Sequence, residues 1–124
     1  MQESFWSFQE SSLSPACIVV PSSPQDVAAT VSILNDKNTS VPFAIKGGGH
    51  SPNSGFANIQ NGVTIDMSQV NSVSYNSKTS VASVGAGAKW LQVYSYLSDQ
   101  GVAVAGGDNG GVGVGGLLIG GTKK

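Results

Sequence analysis

At 124 residues and a formal net charge of -1, the chain has room for one modest hydrophobic core and not for two ordinary domains. Hydrophobic residues make up 40% of it and charged residues 10%, which excludes a disordered polyampholyte. The six cations are all lysine and form no basic block before Lys123-Lys124, so there is no electrostatic case for nucleic acid as a partner.

In chain order, the first 12 residues, with Trp6 and Phe8, read as an N-terminal extension that packs on the surface of a domain spanning 13–124 or on parts beyond it. Ile18-Val19-Val20 is a short strand stopped by Pro21, and the single Cys17 just before it, which has no partner for a disulfide, is expected to be a buried free thiol. Ser23-Pro24-Gln25-Asp26 then supplies an N-cap, a proline at the first helical position and an early acid. A helix is expected from Pro24, with Val27, Val31 and Leu34 forming one apolar stripe against a sheet. Phe43-Ala44-Ile45 is a second strand, running into Gly47-Gly48-Gly49-His50, and Val63-Thr64-Ile65 is a third. The opening is therefore β-α-β, with a glycine turn at the end of the second strand.

Val81-Ala82-Ser83-Val84 runs into Gly85-Ala86-Gly87, and Trp90, Tyr94 and Leu97 mark the core face of a second helix that Gly101 ends. Val102-Ala103-Val104 is expected to be a strand, and the run from Gly110 to Gly121 too flexible for a good helix. Interleaved helices and strands give an α+β class. The sequence stops soon after Gly120-Gly121 without a closing element, so the domain is expected to be incomplete at its C-terminal end. No stretch of about 18 apolar residues and no charged-then-apolar leader is visible. Asn38-Thr39-Ser40 is a glycosylation sequon, which matters only if the full-length protein is secreted.

The chemistry lies in the glycines. Seventeen in this length exceed the usual share of about 7%, and they cluster where strands end. Three consecutive glycines can aim several backbone N–H groups at one point, a nest suited to a phosphate, with Lys46 adding charge and Ser51 a hydroxyl. His50, the only histidine, closes that turn. The later run holds a literal G-x-G-x-x-G from Gly111 to Gly116, but a Rossmann fingerprint also needs an acid about 20 residues on, and the chain ends first. No lysine follows in the Walker position, so a P-loop is excluded. Asp66 and Asp108 show no partner and suggest no acid/base pair.

Taken in order, Ser14-Pro15-Ala16-Cys17, Pro21, Gly47-Gly48-Gly49-His50-Ser51, Val112-Gly113-Val114-Gly115-Gly116 and Gly120-Gly121 resemble the PCMH-type FAD-binding domain of the vanillyl-alcohol-oxidase/berberine-bridge-enzyme family, fungal members in particular. The resemblance implies FAD as cofactor, with Lys46, the turn Gly47 to Gly49 and Ser51 around its pyrophosphate, and His50 bonded to the C8 methyl of the flavin. It further implies that Gly107, Asp108, Gly111, Val112, Gly113, Gly115, Gly116, Gly120 and Gly121 face the cofactor from the other side and that Pro21 borders the adenine. Some relatives carry a second tether on a cysteine where this chain has Asn109; an amide forms no thioether, so one tether through His50, or none, is expected. In relatives the residue matching Cys17 can be tied to an upstream cysteine, which this chain lacks. The implied activity is that of a flavin-dependent oxidoreductase passing hydride from a small-molecule substrate to flavin N5, with dioxygen as the expected oxidant. The catalytic residues and the rest of the fold would lie downstream, and the alternative is an inactive fragment that at most binds a nucleotide.

Overall fold

The computed structural model describes residues 4–38 and 40–121; Thr39 of the sequon and the Lys123-Lys124 pair lie outside the described residues. The elements run α1 (Phe8–Ser11), β1 (Cys17–Val19), α2 (Pro24–Leu34), β2 (Phe43–Lys46), β3 (Val63–Asp66), β4 (Val73–Asn76), β5 (Val81–Val84), α3 (Trp90–Asp99) and α4 (Val114–Gly120). A 3-10 turn, Met67–Gln69, follows β3. The class is α+β, as expected.

The β-α-β opening is present. β1, β3 and β2 lie side by side in that order, all parallel, so β3 occupies the lane between the two strands that precede it. Every residue of β3 is buried. Ser23 caps α2, its hydroxyl accepting from the Asp26 N–H, and Pro24 sits in the first turn. Val27, Val31 and Leu34 pack on Val63, Ile65 and Met67, the stripe-on-sheet arrangement that their spacing predicts. Cys17 departs from expectation. Its side chain is exposed, at the start of an edge strand in which Cys17 and Ile18 are both exposed.

The second half builds its own core. β4 and β5 form an antiparallel hairpin, and α3 lays Trp90, Val93 and Leu97 against it, together with Ala88 and Val114. Gly101 follows the end of α3 with φ +68°, a left-handed residue where the helix stops. Two expectations fail here. Val102-Ala103-Val104 forms no strand, since no described neighbour offers it a ladder. Conversely, Val114–Gly120 is helical despite three glycines, each of which costs about 1 kcal/mol relative to alanine in a helix interior. Tertiary anchoring overrides that propensity: Val114 is buried beside Ala88 and Trp90, Leu117 packs on the same cluster, and the N–H groups of Val114 and Gly115 donate to the carbonyls of Ala88 and Ala86.

Among the described residues no helix is long and apolar enough to cross a membrane, and no cluster of His, Cys, Asp and Glu could hold a metal ion.

Candidate functional site

In a parallel sheet the carboxyl ends of the strands share one edge, where ligands of open α/β sheets bind. Pro21 lies beyond β1, and Gly47 to Ser51 follow β2 directly, at that edge. Three glycine segments meet there. A Cβ added at Gly48 would run into the backbone of Gly113, with Gly113 Cα at 2.6 Å, and a Cβ at Gly113 would strike Gly48 in return. Gly47 faces the Ala86 carbonyl at 3.6 Å and the Gly116 nitrogen at 3.8 Å, and Gly115 stands 2.8 Å from the same carbonyl, all measured from the missing Cβ. The turn after β2, the loop after β5 and the first turn of α4 are thus pressed backbone to backbone. The amides of Gly48, His50, Ser51 and Gly116 donate to no protein acceptor among the described residues.

Gly48 and Gly116 separate two reasons for a glycine. Gly48→Ala is expected to destabilise by about 2–3 kcal/mol in denaturant unfolding, because the obstruction is backbone that cannot rotate aside. At Gly116 a Cβ meets nothing within 4 Å, so Gly116→Ala is expected to stabilise the helix by about 0.5–1 kcal/mol. Equal destabilisation by the two changes would refute this distinction.

His50 is half-buried and its ring stacks on the indole of Trp6, with centroids 5.3 Å apart and planes 19° apart. Ser51 accepts the Asn53 N–H in a local turn. Lys46 is placed differently from the expectation that it contributes charge to an anion. Its ammonium is buried, bonded to Asp66 Oδ2 at 2.9 Å and to the Ser4 hydroxyl at 2.8 Å. The lysine is a strut under the turn, its Cε 3.2 Å from where a Gly49 Cβ would stand. Asp66 accordingly has the partner the sequence did not reveal. Burial pushes its carboxyl up, but hydrogen bonds from Lys46 and Ser68 together outweigh this and hold it below its ordinary value.

The later glycines divide. Val112, Gly113, Gly115 and Gly116 join the contact just described, whereas Gly107 is buried against the Trp90 indole, which leaves no room for a Cβ, and its carbonyl accepts from Tyr94 Oη. Asp108 is exposed. Asn109 turns its side-chain oxygen onto the Gly111 N–H, and Gly120 and Gly121 are exposed at the far end of α4. A cleft of about 270 Å³, bounded by Phe5, Leu13, Ser14, Pro15, Ile18, Asn58 and Thr64, contains none of the glycine-turn residues. The candidate site is the surface made by the converging turns.

Residues 4–10 form a part of the site that the sequence did not announce. The Trp6 N–H donates to the Gly49 carbonyl at 2.8 Å, Phe5 lies 5.0 Å from the Lys46 ammonium, and buried Glu10 accepts the N–H groups of Phe56 and Ala57. The one available signal was Ser7-Phe8-Gln9-Glu10, which has capping-box spacing; Ser7 does cap α1.

Residues 15–123 match the family described as FAD binding domain. The chain belongs to that family. It is 45% identical over 117 residues to a FAD-dependent monooxygenase of Cochliobolus heterostrophus, a match covering 94% of this chain and 22% of that protein. A solved structure of the Acremonium strictum glucooligosaccharide oxidase, described as carrying a 6-S-cysteinyl, 8α-N1-histidyl FAD, superposes with a TM-score of 0.78 at 31% identity, covering 94% of this chain and 24% of that one. The berberine-bridge-enzyme-like protein 1 of Physcomitrella patens, as a D396N variant, gives 0.72 at 26% identity, over 90% and 24%. The resemblance to vanillyl-alcohol-oxidase/berberine-bridge-type flavoproteins is therefore borne out, and this FAD-binding domain spans under a quarter of the length of each of these three proteins.

Proposed function

We propose that the chain is the cofactor-binding part of a flavin-dependent oxidoreductase and that it holds FAD by one covalent bond, at His50. The observation that carries this reading is the contact of the His50 turn with the start of α4, together with the Gly48, His50, Ser51 and Gly116 amides, which have no protein acceptor among the described residues. Backbone N–H groups at a glycine turn and a helix start suit a pyrophosphate, and the open space over Gly116 leaves room for one.

In this proposal Gly47, Gly48, Gly49 and Ser51 bind the pyrophosphate through the backbone, while Val112, Gly113, Gly115 and Gly116 close the opposite side. Pro21 borders the adenine. His50 offers a ring nitrogen to the flavin's 8-methyl carbon, and Asn109 offers no thiolate for a second bond. Lys46 acts through the turn it supports, and Gly107 serves Trp90. The bound flavin would supply the chemistry, accepting hydride from a small-molecule substrate and passing electrons to dioxygen.

The test is a denaturing gel of the full-length protein viewed under near-ultraviolet light. A fluorescent band at the protein's position is expected. Flavin that migrates wholly free would overturn the covalent bond, and a protein purified without flavin that binds no added FAD would overturn the cofactor reading itself.

A further inference from the structure

We infer that Trp6 is a positioning residue for covalent flavin attachment, its indole holding the His50 imidazole in the orientation that bond formation needs. The inference rests on the reading of His50 as the tether.

An indole that is 64% exposed gains little from burial, so hydrophobic packing does not account for its place. Its backbone, in contrast, is fixed from three sides. Upstream, the Ser4 hydroxyl accepts from Lys46 and Phe5 lies near the same ammonium. At Trp6 itself, the N–H donates to the Gly49 carbonyl. Downstream, both amides after Gly55 donate to Glu10, and Asn58 Nδ2 donates to the Glu10 and Leu13 carbonyls. The indole and the imidazole are therefore carried on two backbone segments joined by a direct hydrogen bond one residue before His50. With the planes 19° apart, the indole covers one face of the imidazole and opposes rotation of that ring, while the ring edge that bears the nitrogens is not what the stack covers.

Attachment requires that edge to be aimed. A bond forms between an imidazole nitrogen and the flavin's 8-methyl carbon; the carbon loses one hydrogen and the imidazole its N–H hydrogen. The two electrons and two protons released pass by way of the flavin to dioxygen, which leaves as hydrogen peroxide. A group displaced by about 1 Å can lose on the order of 100-fold in such a step. An imidazole free to turn samples the productive orientation only part of the time.

The test uses the full-length protein prepared free of flavin and followed, after FAD is added, by acid-stable flavin against time. Trp6→Ala is expected to slow attachment by roughly 10- to 100-fold, and Trp6→Phe, which keeps a flat ring, to stay within about threefold of the parent. Non-covalent affinity is read in a His50→Ala background, where adding Trp6→Ala should leave the FAD dissociation constant unchanged within about threefold. In nuclear magnetic resonance spectra of the flavin-free protein the His50 ring protons should lose their indole ring-current shift in Trp6→Ala. If Trp6→Ala does not fold, Trp6→Leu, apolar but without a flat ring, replaces it with the same expectations. Attachment at the parent rate in a folded Trp6→Ala or Trp6→Leu overturns the inference, as does loss of non-covalent affinity equal to the loss of rate, which would indicate a merely structural role. Covalent flavin persisting in His50→Ala alone would instead overturn the tether reading.

Discussion

His50→Ala in the full-length protein is expected to reduce acid-stable flavin to background while leaving FAD bound non-covalently. The loss should be complete, because this chain has no second imidazole and its one thiol lies away from the turn. There is one histidine and one cysteine. Cys17 opens β1, at the end of the sheet opposite the glycine turn and across β3 from β2, so it is at least two strand spacings of about 4.8 Å away. The unpaired amides of the turn survive the substitution, and these are the groups proposed to hold the pyrophosphate. Acid precipitation separates the outcomes: flavin in the supernatant is expected, and a yellow pellet would refute the assignment.

Asp66→Asn is expected to destabilise by about 3–5 kcal/mol at neutral pH. The change leaves the Lys46 ammonium buried without its counter-charge, and breaking one side of a buried pair costs on that scale because the remaining charge is uncompensated. The side chains of Lys46 and Asp66 are 7% and 6% exposed, so water cannot take the aspartate's place. The pH dependence has a definite sign. A carboxylate held below its ordinary value in the folded state contributes stability in full above the unfolded value, near pH 4, and loses it as pH falls through the folded value. Denaturant midpoints of the parent should therefore fall on acidification below about pH 4, and Asp66→Asn should flatten that part of the profile. A variant with the parent's midpoint at pH 7 would show that the pair contributes nothing.

What could be read from the sequence was local. The cap at Ser23, the stripe of Val27, Val31 and Leu34, and the glycine turn after β2 each depend on a few neighbouring residues, and each is found where expected. β4 is equally local, since Val73-Ser74-Tyr75-Asn76 alternates apolar and polar. The helix at Val114 could not be read in this way, because three glycines argue against it and only burial beside Trp90 and Ala88 reverses the balance. Lys46 and Asp66 illustrate a second limit. They are register partners on adjacent strands, so their contact follows from pairing β2 with β3, but nothing local indicates that β3 lies between β1 and β2. The stack of Trp6 on His50 has no sequence signal, since it joins an irregular segment to a turn through one backbone hydrogen bond.

The placement of β3 also constrains how the chain acquires its structure. During synthesis β1, α2 and β2 emerge before any residue of β3, and neither early strand pairs with the other in the finished sheet. Until residues 63–66 leave the ribosome, β1 and β2 lack the strand both pair with and the apolar side of α2 has no completed sheet beneath it, which leaves apolar surface open to wrong contacts. The strand that arrives last must enter the gap from the end of a long loop, and that loop begins with Gly47 and His50. Closing it joins both edges of the sheet in one event, whereas the contact of the turn with Gly113 waits for the start of α4.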